Sequence, residues 1–336
     1  MNSTVVATLA LDEVQQEIVR QELGGAAQLL PLVGLGQAQR RDALGAATAL
    51  LCRNTGKELF PGEAQCLDGV KLVQFINSGL DFVRLSEIPS HVPIASNKGA
   101  YAQPMAEHGM AMALAASKRL FVEHRALQRA EFNMFTPNKL LAGGVCGILG
   151  LGGVGQAIAP LARAFGMKVH AINRRGVAGV QVDRIGTPEN LHELLRASDV
   201  LFLCAPLTGR THHVIGASEL ALMKPDAILV NLARADLIDE AALYAHLVAR
   251  PGFFACIDTW WLEPSRNGVF ATTTPVLELP NVIGSPHNSA SVPGSLDAAL
   301  RASARNIRRL LDGAAPLNRL HPEERVPPGT APLTPP

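Results

Sequence analysis

The sequence has few aromatic residues, no CxxC pair and no surplus of either charge. Aromatic residues make up 4%, and 30 Lys and Arg against 29 Asp and Glu leave a net charge of +1. That balance excludes a general electrostatic field for nucleic acid or an anionic membrane. Five cysteines without CxxC spacing favour reduced, mostly buried thiols over a disulfide scaffold. We therefore expect a cytoplasmic protein with no nucleic-acid or membrane partner.

The chain also lacks the patterns of a secretory signal, a membrane span and a metal site. Its first 20 residues carry acidic side chains where a signal peptide would be basic and then apolar. The longest uncharged stretch, residues 140–161, holds seven glycines and Pro160. This composition favours a strand, a glycine turn and a helix over a membrane-spanning helix. No metal-ligand spacing appears, so no metal is expected. With 336 residues and 48% hydrophobic content, two domains with sizeable cores are expected.

From residue 144 onward, apolar segments typical of buried strands alternate with helical segments. Such alternation predicts a parallel sheet covered on both faces, and so a Rossmann-type doubly wound domain over residues 117–290. The helical segments are 153–166, 188–197, 217–223 and 239–249. The predicted strands are VCGIL (145–149), KVHAI (168–172), DVLFLC (199–204), AILVN (227–231), FFACID (253–258) and VIGS (282–285).

The first third has the pattern of a smaller α/β unit. Three short apolar strands are predicted: TALLC (48–52), KLVQF (71–75) and VPIAS (92–96). Pro104 suits the first turn of a long helix that continues to about residue 129. We predict a flavodoxin-like α/β substrate domain that combines residues 1–116 with 291–336.

A glycine motif, Gly150-Leu-Gly152-Gly153-Val154-Gly155, follows the first strand of the larger domain and opens a helix. In that context the G-x-G-x-x-G spacing indicates a dinucleotide site. The first glycine permits a tight turn, the second lets the backbone approach a pyrophosphate, and the third allows close packing of helix on strand. Backbone N–H groups of this turn, including those of Gly153 and Val154, and the helix dipole would then hold the phosphates.

The end of the next strand distinguishes the two nicotinamide cofactors. A carboxylate there would bind the ribose 2′-hydroxyl, but this chain has Asn173, Arg174 and Arg175. No carboxylate repels a 2′-phosphate, and two guanidinium groups are available to bind one. We therefore favour NADP(H), with NAD(H) possible.

Three later segments each end a strand of the same sheet: VNLARADLIDEAAL (230–243), IDTWWLEP (257–264) and GSPHNSA (284–290). Arg234, Glu263 and His287 should therefore converge at the carboxyl edge, near the nicotinamide. The imidazole of His287 can donate or accept a proton because imidazole titrates near neutral pH. Glu263 can orient that imidazole and favour its protonated form, and the Arg234 guanidinium can bind a carboxylate.

With these motifs the sequence resembles the D-isomer-specific 2-hydroxyacid dehydrogenases. The resemblance covers most of the chain and is looser in the first third. It also includes PLTGRTHHVIG (206–216), ARNIRRLLDGAAPLNRL (304–320), LLCRNTGKEL (50–59) and INSGLDFV (76–83). It implies an NAD(P)-dependent reductase of small 2-oxo acids such as glyoxylate or hydroxypyruvate. It also implies a homodimer built on the cofactor domain.

The resemblance also implies roles for further residues. Asp258 is expected to contact the nicotinamide carboxamide. The substrate carboxylate is expected to bind the backbone of Asn77, Ser78 and Gly79. Arg53 and Asn54 either take a second polar group of the substrate or form a surface loop. Other residues expected to flank the cofactor, together with His287, are Pro206, Asn231, Ala233 and Ser289.

Some features leave alternatives open. Glu263 stands where formate-oxidising relatives carry glutamine, which argues against formate as the substrate. An NAD(P)-binding regulatory or corepressor-like protein with little turnover is the main alternative, while a methyltransferase would leave the three converging residues without a purpose. Ala235 replaces the usual glycine after the arginine, so that turn must avoid positive φ or be mildly strained. Two interpretations of Trp260 and Trp261 stay open. Either one of them lines the substrate pocket and the other packs at an interface, or both are packing residues.

Overall fold

The computed structural model describes residues 3–321 and residue 325. Two compact units divide the chain: Met1–Tyr101 with Val292–Pro336, and Ala102–Ser291. The predicted first domain extends to residue 116, whereas the helix that begins at Ala102 belongs to the second unit. Residues 322–324 and 326–336, at the end of the predicted substrate domain, lie outside the described residues. Within the described ranges, no helix combines the length and apolar character needed to cross a membrane.

Five described strands of the first unit form a parallel sheet in the order β2-β1-β3-β4-β5, which is the flavodoxin-like order. The strands are β1 (Ser3–Ala7), β2 (Ala27–Pro31), β3 (Ala49–Cys52), β4 (Leu72–Phe75) and β5 (Ile94–Ala95). Its first three helices are α1 (Glu13–Leu23), α2 (Gln37–Gly45) and α3 (Thr55–Glu58). The sequence pattern predicts the last three of these strands but not β1 and β2.

The second unit opens with two helices where the sequence pattern predicted one. They are α4 (Ala102–Ser117) and α5 (Leu120–Gln128). The prediction of a continuous helix was wrong because Arg119 adopts φ +52°, in the left-handed region, which interrupts the helical hydrogen-bond ladder. Gly109 lets α4 lie close to the sheet, since an ideal Cβ there would stand 2.5 Å from Leu232 Cδ1.

Seven described strands form the parallel sheet of the second unit, in the order β12-β11-β10-β9-β6-β7-β8. Helices follow most of the strands, so the predicted doubly wound α/β fold is confirmed. The strands are β6 (Val145–Leu149), β7 (Lys168–Ile172), β8 (Arg184–Gly186), β9 (Val200–Leu203), β10 (Ile228–Asn231), β11 (Phe254–Ile257) and β12 (Val282–Gly284). The helices are α6 (Gly153–Ala164), α7 (Leu191–Ala197), α8 (Ala217–Leu222), α9 (Glu240–Ala249) and α10 (Pro264–Asn267).

The last helix, α11 (Ser295–Leu311), belongs to the first unit. Its apolar face, which includes Leu300 and Ile307, is buried in a core shared with β1 and α1. Two ion pairs tie the helix to α1, since Arg305 Nε lies 2.8 Å and Arg301 Nη1 lies 3.3 Å from the Glu22 carboxylate. The final helix thus returns to a sheet formed almost 300 residues earlier in the chain.

Candidate active site

The strands of the second sheet are all parallel, so their carboxyl ends share one edge. The chain order reverses between the neighbouring strands β6 and β9, the point where open α/β sheets bind ligands. The predicted residues that lie within six positions after a strand at this edge include Gly150, Asn173, Pro206, Arg234, Asp258, Glu263 and His287.

The glycine turn has the shape that a dinucleotide needs. Gly150 adopts φ +101°, and a Cβ on it would lie 2.5 Å from the backbone N of Ala205. A Cβ on Gly155 would lie 2.6 Å from Gly150 O, so the helix packs directly on the turn. At Gly152, by contrast, no described atom outside its immediate neighbours comes within 4 Å of an ideal Cβ. Open space at the N-terminus of α6 therefore fits a pyrophosphate approaching the backbone.

The loop after β7 is held by Asn173. Its Oδ1 accepts the N–H of Arg175 at 3.0 Å, and its Nδ2 donates to the carbonyl of Val177 at 2.8 Å. Arg174 and Arg175 are both exposed. The downstream carboxylate of Asp183 is engaged away from this loop, since it accepts the N–H of Val169 and pairs with Arg163. The loop therefore presents guanidinium groups rather than a carboxylate.

Glu263 and His287 form the best-defined contact at the edge. Both carboxylate oxygens of Glu263 lie 2.9 Å from Nδ1 of His287. The Glu263 side chain is 6% exposed and that of His287 is 42% exposed. Because a carboxylate only accepts, Nδ1 carries a proton, and Nε2 remains as the nitrogen that can exchange one with a substrate.

The environment of Glu263 keeps its carboxylate charged. Burial acts to raise the pKa of Glu263, but the hydrogen bond from His287, that from the Trp260 N–H at 2.8 Å and the nearby charge of Arg234 hold this pKa below its ordinary value of 4.5. The carboxylate is therefore ionised throughout the neutral range. It can orient the imidazole without itself taking up a proton.

The loop that carries Arg234 is held by Asn231 at the end of β10. The Asn231 side chain donates to the carbonyl of Arg234 at 2.8 Å and accepts the N–H of Ala233 at 3.0 Å. An ion pair of 3.7 Å between Asp236 and Arg266 joins this loop to the segment after Glu263. Ala235 opens a single 3₁₀ turn, Ala235–Leu237, and does not adopt positive φ. The missing glycine therefore costs this turn no strain.

Asp258, at the end of β11, is fully buried. Its Oδ1 accepts the hydroxyl of Ser285 at 2.5 Å and the N–H of Asn288 at 3.2 Å, and its Oδ2 accepts the N–H of Ser289 at 3.3 Å. The carboxylate therefore accepts hydrogen bonds from the protein itself, on the segment that carries His287. Its expected contact with the nicotinamide carboxamide stays a prediction.

In the first unit, the expected substrate-binding residues follow β3 and β4, again at carboxyl ends. The backbone N–H groups of Arg53 and Asn54 donate to the Glu58 carboxylate at 3.2 and 2.8 Å, so this carboxylate shapes their turn. In the second turn, which continues to Gly79, Ser78 Oγ donates to the carbonyl of Asn97. The buried Oδ1 of Asn77 has no hydrogen-bond partner among the described residues.

Both tryptophans use their indole N–H groups on backbone carbonyls. Trp260 donates to Ser285 at 2.8 Å, and Trp261 donates to Ile238 at 3.0 Å. Trp260 also contacts the ring of Phe270 edge-on. These contacts favour positioning and packing for Trp260, which the sequence alone left open.

In the part of the chain that the structure describes, no three His, Cys, Asp or Glu side chains are grouped as a metal site requires.

Comparison with known proteins agrees with this arrangement. The family model "D-isomer specific 2-hydroxyacid dehydrogenase, NAD binding domain" matches residues 110–289. Hydroxypyruvate reductase of Thermotoga maritima is 31% identical over 224 residues, which cover 66% of this chain and 71% of that protein. D-3-phosphoglycerate dehydrogenase of Methanocaldococcus jannaschii is 35% identical over 214 residues, which cover 62% of this chain but only 39% of that protein.

Solved structures show the same fold. A D-isomer specific 2-hydroxyacid dehydrogenase from Xanthobacter autotrophicus Py2, in complex with NADPH and MES, is 23% identical with a TM-score of 0.78, covering 97% of this chain and 100% of that one. The chain belongs to the D-isomer specific 2-hydroxyacid dehydrogenase family, which confirms the resemblance inferred from the motifs.

Glu263→Gln should change how stability depends on pH. The depressed pKa means that ionised Glu263 stabilises the fold above its ordinary, unfolded-state pKa of 4.5, and that this contribution is lost as pH falls through the lower folded-state value. In thermal unfolding at several pH values, wild type should have a higher Tm than Glu263→Gln near neutral pH. This difference in Tm should shrink as the pH falls into the acid range. The exposed Glu278→Gln serves as control. A difference that is constant with pH would contradict the assignment.

Proposed function

We propose that this chain is an NAD(P)H-dependent reductase of small 2-oxo acids, such as glyoxylate or hydroxypyruvate, that can also oxidise the corresponding D-2-hydroxy acid. The contact between the buried Glu263 carboxylate and Nδ1 of His287 carries the proposal, because it leaves Nε2 to donate or accept a proton. Glyoxylate reductases and a hydroxypyruvate reductase among the relatives support this substrate class.

Each residue has a distinct task in the proposed reaction. A reduced nicotinamide cofactor held at the glycine turn would supply a hydride for the carbonyl carbon. His287 holds at Nε2 the proton that the carbonyl oxygen takes up, and Glu263 keeps the ring oriented through Nδ1. Arg234 binds the substrate carboxylate and polarises the neighbouring carbonyl. We assign the backbone of Asn77–Gly79 to the carboxylate as well, and Arg53 and Asn54 to a second polar group.

His287→Ala should lower kcat for glyoxylate or hydroxypyruvate by about 10²- to 10⁴-fold, the usual effect of removing a positioned acid–base group. The dissociation constant for NADPH, measured by its fluorescence, should change little, because the glycine turn is untouched. His91→Ala, which removes an exposed histidine of the first unit, is the matched control and should keep full activity.

Two outcomes would decide against the proposal. Comparable turnover by His287→Ala would remove the acid–base assignment. Tight binding of NADPH without turnover of any 2-oxo acid in a broad panel would favour the regulatory, corepressor-like alternative. The cytoplasmic location stays a prediction from the cysteine pattern.

For the cofactor, we infer a preference for NADPH over NADH. The support is the exposed Arg174-Arg175 pair after β7, in a turn that Asn173 holds and that carries no carboxylate side chain as far as Val177. Guanidinium groups bind a 2′-phosphate through charge-assisted hydrogen bonds. The NADPH held by the Xanthobacter autotrophicus structure is consistent with this preference.

The double substitution Arg174→Ser with Arg175→Ser should raise KM for NADPH by roughly tenfold to a hundredfold, the effect of losing one or two charge-assisted hydrogen bonds. KM for NADH should stay within about twofold, because NADH lacks the 2′-phosphate. Arg20→Ser is the control, since this arginine is exposed on α1 and its guanidinium donates a hydrogen bond to its helix neighbour Gln16. A wild-type protein that strongly prefers NADH would refute the inference.

We also propose a homodimer built on the second unit. Large apolar side chains are exposed along one stretch of chain, α5 and the segment after it, which is more than a monomer usually leaves to water. These side chains are Leu120, Phe121, Leu127, Phe132, Met134, Phe135 and Leu140, of which Phe132 is 80% and Phe135 is 86% exposed.

Replacing Phe132 and Phe135 together by serine should convert the protein from dimer to monomer, because these rings would lose a buried partner surface. Sedimentation velocity at micromolar concentration measures the change. Val14→Ser, at an exposed valine of α1, is the control and should stay dimeric. A wild-type protein that sediments as a monomer at every concentration would contradict this proposal.

A further inference from the structure

A hydrogen-bonded chain of three side chains lies beside the Glu263–His287 pair. His108, on α4, places Nε2 2.9 Å from the hydroxyl oxygen of Ser285. That hydroxyl lies 2.5 Å from Oδ1 of Asp258, while His108 Nε2 itself is 3.8 Å from the same oxygen. The chain therefore links a helix near the start of the second unit to the strand end that leads to His287.

Proton inventory fixes the direction of these hydrogen bonds. The fully buried Asp258 carboxylate can only accept, so the single hydroxyl proton of Ser285 goes to Asp258. The remaining lone pairs of Ser285 Oγ then accept from His108, which must carry a proton on Nε2. His108 thus donates, and removing it leaves Ser285 a weaker and less fixed donor to the carboxylate.

Ser285 is held at two points. Its carbonyl accepts the indole N–H of Trp260 at 2.8 Å, and its hydroxyl accepts from His108. The Trp260 backbone N–H also donates to Glu263, so one residue contacts both the orienting carboxylate and the segment before His287.

The Asp258 carboxylate in turn holds the residues that follow His287. The N–H groups of Asn288 and Ser289 both donate to it. His287 adopts φ +52°, a left-handed conformation that is uncommon outside glycine and persists where neighbouring contacts fix it. The two successive N–H groups after His287 converge on the one Asp258 carboxylate, and this contact fixes the left-handed backbone.

Resting on the proposed function, we propose that His108 is a positioning residue, which acts through Ser285 and Asp258 to fix the left-handed backbone at His287 and hence the place of its imidazole. His108 itself contacts neither Glu263 nor His287 in the contacts described. Its effect on turnover must therefore pass through the position of the imidazole.

The test is a double-mutant cycle on the full-length protein, with NADPH and hydroxypyruvate or glyoxylate as probes. His108→Phe should lower kcat about tenfold in the wild-type background, with little change in the NADPH dissociation constant. His108→Gln keeps an N–H donor and should recover most of that loss. In the His287→Ala background, His108→Phe should cause no further loss in the residual rate, because the imidazole that it positions is gone.

A second measurement does not need activity. Amide hydrogen exchange at Asn288 and Ser289 should accelerate in His108→Phe and stay slow in Glu107→Gln, an exposed neighbour on the same helix. Unchanged exchange at these two amides, or an equal loss of kcat in both backgrounds, would overturn the positioning role. If wild type reduces no 2-oxo acid, the proposed function fails, and the exchange at these two amides alone decides the positioning role.

Discussion

Two buried carboxylates at the carboxyl edge of the second sheet, Glu263 and Asp258, organise the site. A charge removed from water needs hydrogen-bond donors, and each carboxylate finds them on the segment that carries His287. Glu263 accepts a hydrogen bond from Nδ1 of the imidazole. Asp258 accepts from the Ser285 hydroxyl before His287 and from the two N–H groups after it. The requirement that buried charges be satisfied therefore fixes both the ring and the backbone of the residue that we assign to proton transfer.

The arrangement depends on the parallel sheet beneath it. Parallel strands bring residues that are distant in sequence to one edge, and the crossover helices keep the sheet dry on both faces. Arg234, Glu263 and His287 follow three neighbouring strands, so their order along the edge follows from the topology. In the first unit, Arg53 and Asn77 likewise lie within two positions after the neighbouring strands β3 and β4.

The sequence was most informative where the chemistry of one residue type depends on its local pattern. Gly150, Gly152 and Gly155 are recognisable because a strand precedes them and a helix follows. Arg234, Glu263 and His287 are recognisable because each lies shortly after an apolar strand. The edge strand Arg184–Gly186, by contrast, is short and polar, and nothing in the helical pattern signalled the left-handed turn at Arg119.

Contacts between distant residues could not be predicted in this way. His108 and Ser285 are 177 positions apart, and each looks ordinary in its own segment. Asp258 was expected to face the cofactor by resemblance, whereas its burial and its three donors become visible only once the strands are assembled. The sequence thus predicted which residues reach the edge, but the packing of α4 against the sheet determines which of them touch.

The most direct test of the account is a crystal structure of the protein with NADPH and oxamate, an unreactive analogue of a 2-oxo acid. The account predicts the amide carbonyl oxygen of oxamate within about 3 Å of His287 Nε2, with Nδ1 still on Glu263 and the carboxylate of oxamate against Arg234. An oxamate bound away from His287, or an imidazole turned so that Nδ1 leaves Glu263, would contradict it.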